Sequence, residues 1–321
     1  MLLGATAVGG LVAFWAAAEL FSRDSAGSPQ GAGAVEISAA TDRVLREISL
    51  SAPNDVETGL GATFVTGTTR STATVARVPE GPTGEPRSIE LAPATATSPD
   101  DLAVGAGAVW ATVADALYRA DPRRLSDARR VAGLPEGGLL SGVAVGAGYV
   151  WVADATRRAV NRVDPAGGRP TVAVPLPGSA DGVAVGEGAV WVPSAQGGSV
   201  FRIDSRTARV ERSIAVEGAA NGIAAGAGSV WVTASSRDSV ARIDPGSGRV
   251  GWIGVGDAPT DVCVGRRSVW VANSGSGTVS RIDPATGRVA ATIRVPRRPN
   301  RIATDGRSVW ATFLGPPPGG D

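Results

Sequence analysis

Short apolar runs alternate with polar, glycine-rich breaks along nearly the whole chain. Residues 222–259 show the pattern most plainly. An apolar run (223–225) meets the break Gly226-Ala227-Gly228, and a second run follows, Ser-Val-Trp-Val-Thr (229–233). A polar stretch (235–239) leads into Val240-Ala241-Arg242-Ile243-Asp244. Then come Pro245-Gly246-Ser247-Gly248 and a last run from Arg249 to Val255. Runs rich in β-branched and aromatic residues, bounded by Gly, Pro and Ser, predict four short strands joined by tight turns. No window carries the i, i+3, i+4 spacing of an amphipathic helix, which excludes a helical repeat.

The unit recurs. A Val-Trp pair ends at Trp110, Trp151, Trp191, Trp231, Trp270 and Trp310, at intervals of 41, 40, 40, 39 and 40 residues. Four antiparallel strands in a period near forty predict a propeller blade, which must stack on its neighbours to bury its faces. The third strand repeats as Arg-Ala-Asp (119–121), Arg-Val-Asp-Pro (162–165), Arg-Ile-Asp-Ser (202–205) and Arg-Ile-Asp-Pro (242–245, 281–284). Asp and Pro open the following turn. The arginine column is expected to form inter-blade ion pairs or to cover apolar surface. The recurrent Gly-Ala-Gly lacks a third glycine and a following helix, so it is a hairpin turn and no dinucleotide fingerprint.

Counting first-and-second-strand pairs gives seven, the earliest a degenerate one at 55–66 with Phe64 in the tryptophan column. Residues 35–50 (VEISAATDRVLREISL) align without gaps to 280–295 (SRIDPATGRVAATIRV), a third-and-fourth-strand pair that precedes any first strand. Residues 301–313 supply only a first and a second strand. The expected fold is all-β: a seven-bladed β-propeller of four-stranded antiparallel blades spanning 34–314. Its ring closes by joining two N-terminal strands to two C-terminal ones, which protects the edges of an open array. A C-terminal tail (315–321) follows.

With its VWVAN (269–273), SRIDPATGRV (280–289) and TIRV (292–295), the repeat resembles the YVTN/YncE-like propellers. It is also similar to the streptogramin (virginiamycin B) lyase-like propellers. The resemblance covers about 34–314. It implies an exported or membrane-attached propeller acting as a binding, sensing or interaction module. The lyases of the second group use a catalytic histidine, and this chain has none.

Composition narrows the chemistry. All 31 basic residues are arginine and His is 0, which excludes lysine Schiff bases, His general bases and His-ligated metals. The formal net charge of +1 and few spare aromatics give nucleic acid little to hold. The single cysteine, Cys263, stands in a column otherwise filled by Ala103, Ala144, Ala184, Ala224 and Ala303, as a small buried strand residue would.

Residues 1–18 carry no charged side chain, and 1–21 predict one apolar helix: a transmembrane anchor, or a signal segment cleaved near Ala16-Ala17-Ala18. The Gly/Ser/Pro-containing stretch 22–33 is a flexible linker. The propeller is therefore expected on the extracytoplasmic side of a membrane.

Propellers bind most often around the axial channel, on the face where one blade's fourth strand hands over to the next blade's first. Two residues before the first-strand Val, Leu or Ile stand Asn54, Asp100, Ser141, Asp181, Asn221, Thr260 and Asn300. All are short and polar. They either cap their own turns or ring the channel mouth, where they would hold a small polar ligand or a partner protein. No cofactor is implied, although Asp100 and Asp181 leave a divalent cation in the axial channel open. The reading is a non-enzymatic binding or sensor module. The alternative is a carboxylate- or metal-dependent lyase or hydrolase of the streptogramin lyase-like group.

Overall fold

In the computed structural model, residues 32–313 are described, apart from 70–71, 80–85, 94–98, 126–127, 167–168 and 219–221. The expected leader or anchor (1–21), nearly all of the linker (22–33) and the tail (315–321) lie outside the described residues. Among the described residues no helix is long and apolar enough to cross a membrane.

The chain forms seven four-stranded antiparallel sheets, each with neighbouring strands in chain order save the last. The innermost strands are Pro53–Gly59, Pro99–Gly105, Leu140–Gly146, Ala184–Gly186, Ile223–Gly226, Pro259–Val264 and Pro299–Thr304, which define blades 1 to 7. Blade 7 combines Pro299–Thr304 and Ser308–Phe313 with the N-terminal strands Gly33–Ser38 and Val44–Ser49. Gly33–Ser38 pairs in full with Ser308–Phe313, from Gly33 opposite Phe313 to Ser38 opposite Ser308. The half-blades foreseen at the two ends thus complete one sheet.

In blades 1 to 5 the turn between first and second strands is a two-residue hairpin. In blade 5, Ala227 (φ 54°) and Gly228 (φ 74°) both adopt left-handed conformations. This type I′ geometry matches the strand twist, and it explains why glycine recurs there. From that turn the second strand carries its tryptophan into the space between blades. Trp110, Trp151, Trp191, Trp231 and Phe64 are fully buried. The buried indoles keep a polar partner: Trp231 donates to the Gly226 carbonyl at 3.0 Å, and Trp110 to that of Gly105 at 3.2 Å. Removing one such ring costs about 3–5 kcal/mol by cavity formation.

The arginine column covers these rings. Arg242 lies 5.2 Å from the Trp231 centroid, and Arg119 lies 5.6 Å from that of Trp110. In blade 7 the third strand carries Glu36 instead, and the guanidinium comes from the fourth strand. Arg46 sits 5.1 Å from the Trp310 ring and pairs with Glu36 at 2.6 Å. The column also crosses between blades, since Arg162 donates to the Arg206 carbonyl and Arg281 to Asp42.

Candidate functional site

The innermost strands enclose an axial cavity of about 280 Å³. Its polar end is built by one local device, a β-bulge at the entry to the innermost strand. In blade 2, Pro99 pairs with Val113 and Asp101 with Thr112, so Asp100 is an extra residue. Blades 3 and 6 repeat this with Ser141 and Thr260 as the extra residue. A bulge sets two residues against one and re-aims the side chains on either side. Buried threonines of the second strand hold the bulged segment. Thr66, Thr112 and Thr312 accept the amides of Asp55, Asp101 and Arg301 at 3.1, 3.0 and 3.3 Å.

The residue after the extra one meets the cavity or its wall. Around the ring this column reads Asp55, Asp101, Gly142, Gly182, Gly222, Asp261 and Arg301. Four charged positions on blades 6, 7, 1 and 2 form one arc, and three glycines on blades 3 to 5 form the other. The aspartates also bolt neighbouring blades together. Asp55 accepts the Leu102 amide at 2.7 Å, Asp101 that of Val143 at 2.6 Å, and Asp261 that of Ile302 at 2.9 Å. Each bond runs from one blade to the next.

Two residues deeper stands Glu57, which occupies the column of small residues that includes Cys263 and Ala103. Among the described residues no side chain hydrogen-bonds its carboxyl, and the adjacent Thr58 amide favours its charge. Arg301 makes no side-chain hydrogen bond or ion pair among the described residues, and it acts on Asp261, Asp55, Asp101 and Asp100 through space.

One guanidinium among five carboxyl groups leaves the acids difficult to ionise. Burial, then the charges of Asp101 and Asp261, push Glu57 up to about 8. Burial raises Asp100 to about 7, and it raises Asp261 to about 6 despite the opposing pull of Arg301. Asp55 and Asp101 are raised as well, by burial first. Burial opposes the charge on Arg301, but the surrounding aspartates more than offset it and hold the guanidinium protonated. The Cys263 thiol is pushed well up by burial and by Asp261 and Glu57, so it is no thiolate nucleophile.

Of the seven residues expected at the mouth, Ser141 and Asp181 line the cavity. Ser141 donates to the Ala180 carbonyl at 2.5 Å, and Asp181 accepts from Ser179 and the Ala195 amide, both at 2.6 Å. Thr260 donates to the Asn300 carbonyl of the next blade at 2.7 Å. Asp100 keeps one carboxylate oxygen buried without a partner. Asn54, Asp100, Thr260 and Asn300 are not among the cavity-lining residues, and Asn221 lies outside the described ones. The charged column one residue further on was missed. Its mixture of Gly with Asp and Arg was the available signal, as was Glu57 as the lone acid among alanines. Among the described residues, no three acidic or cysteine side chains converge closely enough to hold a metal ion.

No protein-family model matches the chain, and no curated protein does. Its architecture is shared with solved structures at low identity. Virginiamycin B lyase from Staphylococcus aureus superposes with a TM-score of 0.69 at 14% identity, covering 88% of this chain and 99% of its own. Hydrazine synthase of Kuenenia stuttgartiensis gives 0.67 at 13% identity, with 81% and 91% covered. The Neurospora crassa Pan2 WD40 domain gives 0.64 at 10% identity, with 83% and 90% covered. At these identities the likeness establishes the propeller fold and carries no activity.

Proposed function

We propose that this protein is a non-enzymatic binding module that receives a polar ligand, or a polar group of a partner, at the mouth of its axial channel. It is read as a divergent member of the virginiamycin B lyase-like and YncE-like propellers. The observation that carries the reading is the convergence of charge. Asp55, Asp101, Asp261, Arg301 and Glu57 gather around one cavity, and among the described residues no side chain hydrogen-bonds Glu57 or Arg301. A chain without histidine or lysine, whose cysteine thiol is held protonated, leaves only the buried carboxyls for proton transfer.

The same reading includes export and anchoring through 1–21. Gly33 and Phe313 are paired at the edge of blade 7 where the innermost strand starts. An anchor upstream of Gly33 would tether the propeller with its channel mouth toward the membrane.

The test is a thermal-shift screen of polar metabolites and short peptides on the full-length chain. Hits are repeated on the double variant Asp101→Asn, Asp181→Asn and on Arg212→Ala of an outermost strand. Ligands that lose binding in the first and keep it in the second support the channel. The opposite pattern moves the site to the rim.

A further inference from the structure

The charges in the channel lie at two depths. Asp55, Asp101 and Asp261 occupy equivalent positions at the mouth, and Glu57 stands two residues further along the innermost strand of blade 1. Two residues of strand advance roughly 6–7 Å. At the level of Glu57 the other blades contribute small residues, Ala103, Ala144, Ala184 and Ala224 among them, and Val104, Val145, Val185 and Val264 stand one residue deeper. The site is therefore a channel with acidic groups at its mouth and again further in.

That spacing selects the kind of cation. A metal ion needs several oxygens converging on one point, and no such group exists among the described residues. The mouth aspartates each commit an oxygen to the next blade's backbone, which fixes their positions around the ring. Glu57 is different. Among the described residues no side chain hydrogen-bonds its carboxyl, and it stands where blades 2 to 5 and 7 have alanine and blade 6 has cysteine. Arg301 acts on the aspartates of the mouth and offsets part of their charge. Glu57 is thus the acid that stands deeper in the channel than the aspartates of the mouth.

We propose that the channel binds a linear alkyl diamine or polyamine end-on. One ammonium lies at Glu57, and the next lies at the level of Asp55, Asp101 and Asp261. A four-carbon stem holds two amines about 6 Å apart by standard bond lengths, which matches the two levels. The methylene stem spans the stretch between the two levels, beside Ala103, Ala144, Ala184 and Ala224. The proposal rests on the binding-module reading and names its ligand class.

Titration gives a second signature. The groups facing the ligand are Asp55, Glu57, Asp101, Asp261 and Arg301, with Asp181 on the glycine arc, Asp100 behind the mouth and the Cys263 thiol beside Glu57. Burial holds Glu57 up to about 8 and Asp261 up to about 6 in the empty channel. An entering ammonium favours their charged forms, so protons leave as it binds. Alkylammonium groups, with values near about 10, stay charged throughout this range.

The experiment is isothermal titration calorimetry of the full-length chain with 1,4-diaminobutane, spermidine and butylamine, at about pH 6 and about pH 8.5, in buffers of differing ionisation enthalpy. The diamine is expected to bind more tightly at the higher pH, with proton release at neutral pH. Butylamine is expected to bind at least about tenfold more weakly. Glu57→Gln and Glu57→Ala, the latter restoring the residue of most other blades, are expected to cost the diamine a similar factor. Equal affinity for butylamine and the diamine, or diamine binding unchanged in both Glu57 variants, overturns the proposal. If a ligand sensitive to the Asp101/Asp181 variant is found and diamines neither bind nor displace it, this inference fails while the binding module stands. If no ligand responds to the channel variants, both fail.

Discussion

The charged arc and the glycine arc solve the same packing problem in opposite ways. On blades 6, 7, 1 and 2 the innermost strands run for six or seven residues, and aspartate side chains bridge to the next blade's amides. On blades 4 and 5 those strands shrink to three and four residues, and glycine brings backbones into direct contact. A Cβ added at Gly222 would meet the Asp261 Cα at 2.7 Å, and one at Gly142 would meet the Gly182 Cα at 2.9 Å. One arc gains its cohesion from hydrogen-bonded carboxylates, which are also chemically available. The other gains it from close approach and offers no charge in that column. Ligand recognition and structural cohesion therefore share residues on one side of the ring only.

Removing the closure breaks the comparison altogether. A chain starting at residue 52 lacks both N-terminal strands of blade 7, strips Arg46 from Trp310 and leaves Ser308–Phe313 as an exposed edge. The expected result is a melting temperature lowered by more than about 10 °C, with aggregation. Calorimetry and light scattering against a chain starting at residue 30 measure it. An unchanged melt would show that the closure is dispensable.

Glycine should not tolerate the exchange that alanine columns accept. Gly222→Ala is expected to cost about 1–3 kcal/mol by overpacking against Asp261 and the Thr260 carbonyl. Urea denaturation reads this directly, and a cost below about 0.5 kcal/mol would contradict the close-approach role.

On the charged arc, the decisive difference is between two substitutions at one position. Asp101→Asn keeps an acceptor for the Val143 amide, whereas Asp101→Ala orphans it. The alanine variant should be less stable than the asparagine variant by about 1–3 kcal/mol. Equal stabilities would mean that the blade-to-blade bond contributes nothing.

The arcs should also differ in pH response. Glu57 rises to about 8 from an ordinary carboxylate value, so the native state binds its proton more tightly than the unfolded chain does. Stability from this group is full below its unfolded value. It falls as pH rises toward about 8 and is level above that. Glu57→Gln is expected to flatten the stability profile between about pH 5 and about pH 8, whereas Gly222→Ala on the glycine arc, which changes no titratable group, should leave its slope unchanged. A parallel profile for Glu57→Gln would remove Glu57 from the buried acidic set. The smallest effect is expected far from both arcs. Arg212→Ala loses an exposed bond to the Gly246 carbonyl and should shift stability by no more than about 0.5 kcal/mol.

The chain's own pattern determined the blade, the number of blades and the way the ring closes. Those follow from local rules: a two-residue turn of left-handed residues such as Ala227-Gly228, an Asp-initiated turn after Ile243, and a Val-Trp pair on the buried second strand. Each rule is satisfied within some forty residues, so the sequence displays it openly. The covering of tryptophan by arginine was legible for the same reason, although Arg46 reached Trp310 from a different strand. Which polar column faces the axis was decided elsewhere. Counting by alternation from Val56, Leu102 or Val262 selects Asn54, Asp100 and Thr260, yet a bulge at the strand entry makes these the extra residues. Their successors, Asp55, Asp101 and Asp261, turn to the channel and the next blade. A bulge is stabilised by contacts to threonines on the neighbouring strand and to amides of the following blade, some forty residues away. Stacking of consecutive blades brings those partners together. Only closure of the ring sets one arginine among five acids, because their order in the chain says nothing of their distance across the axis.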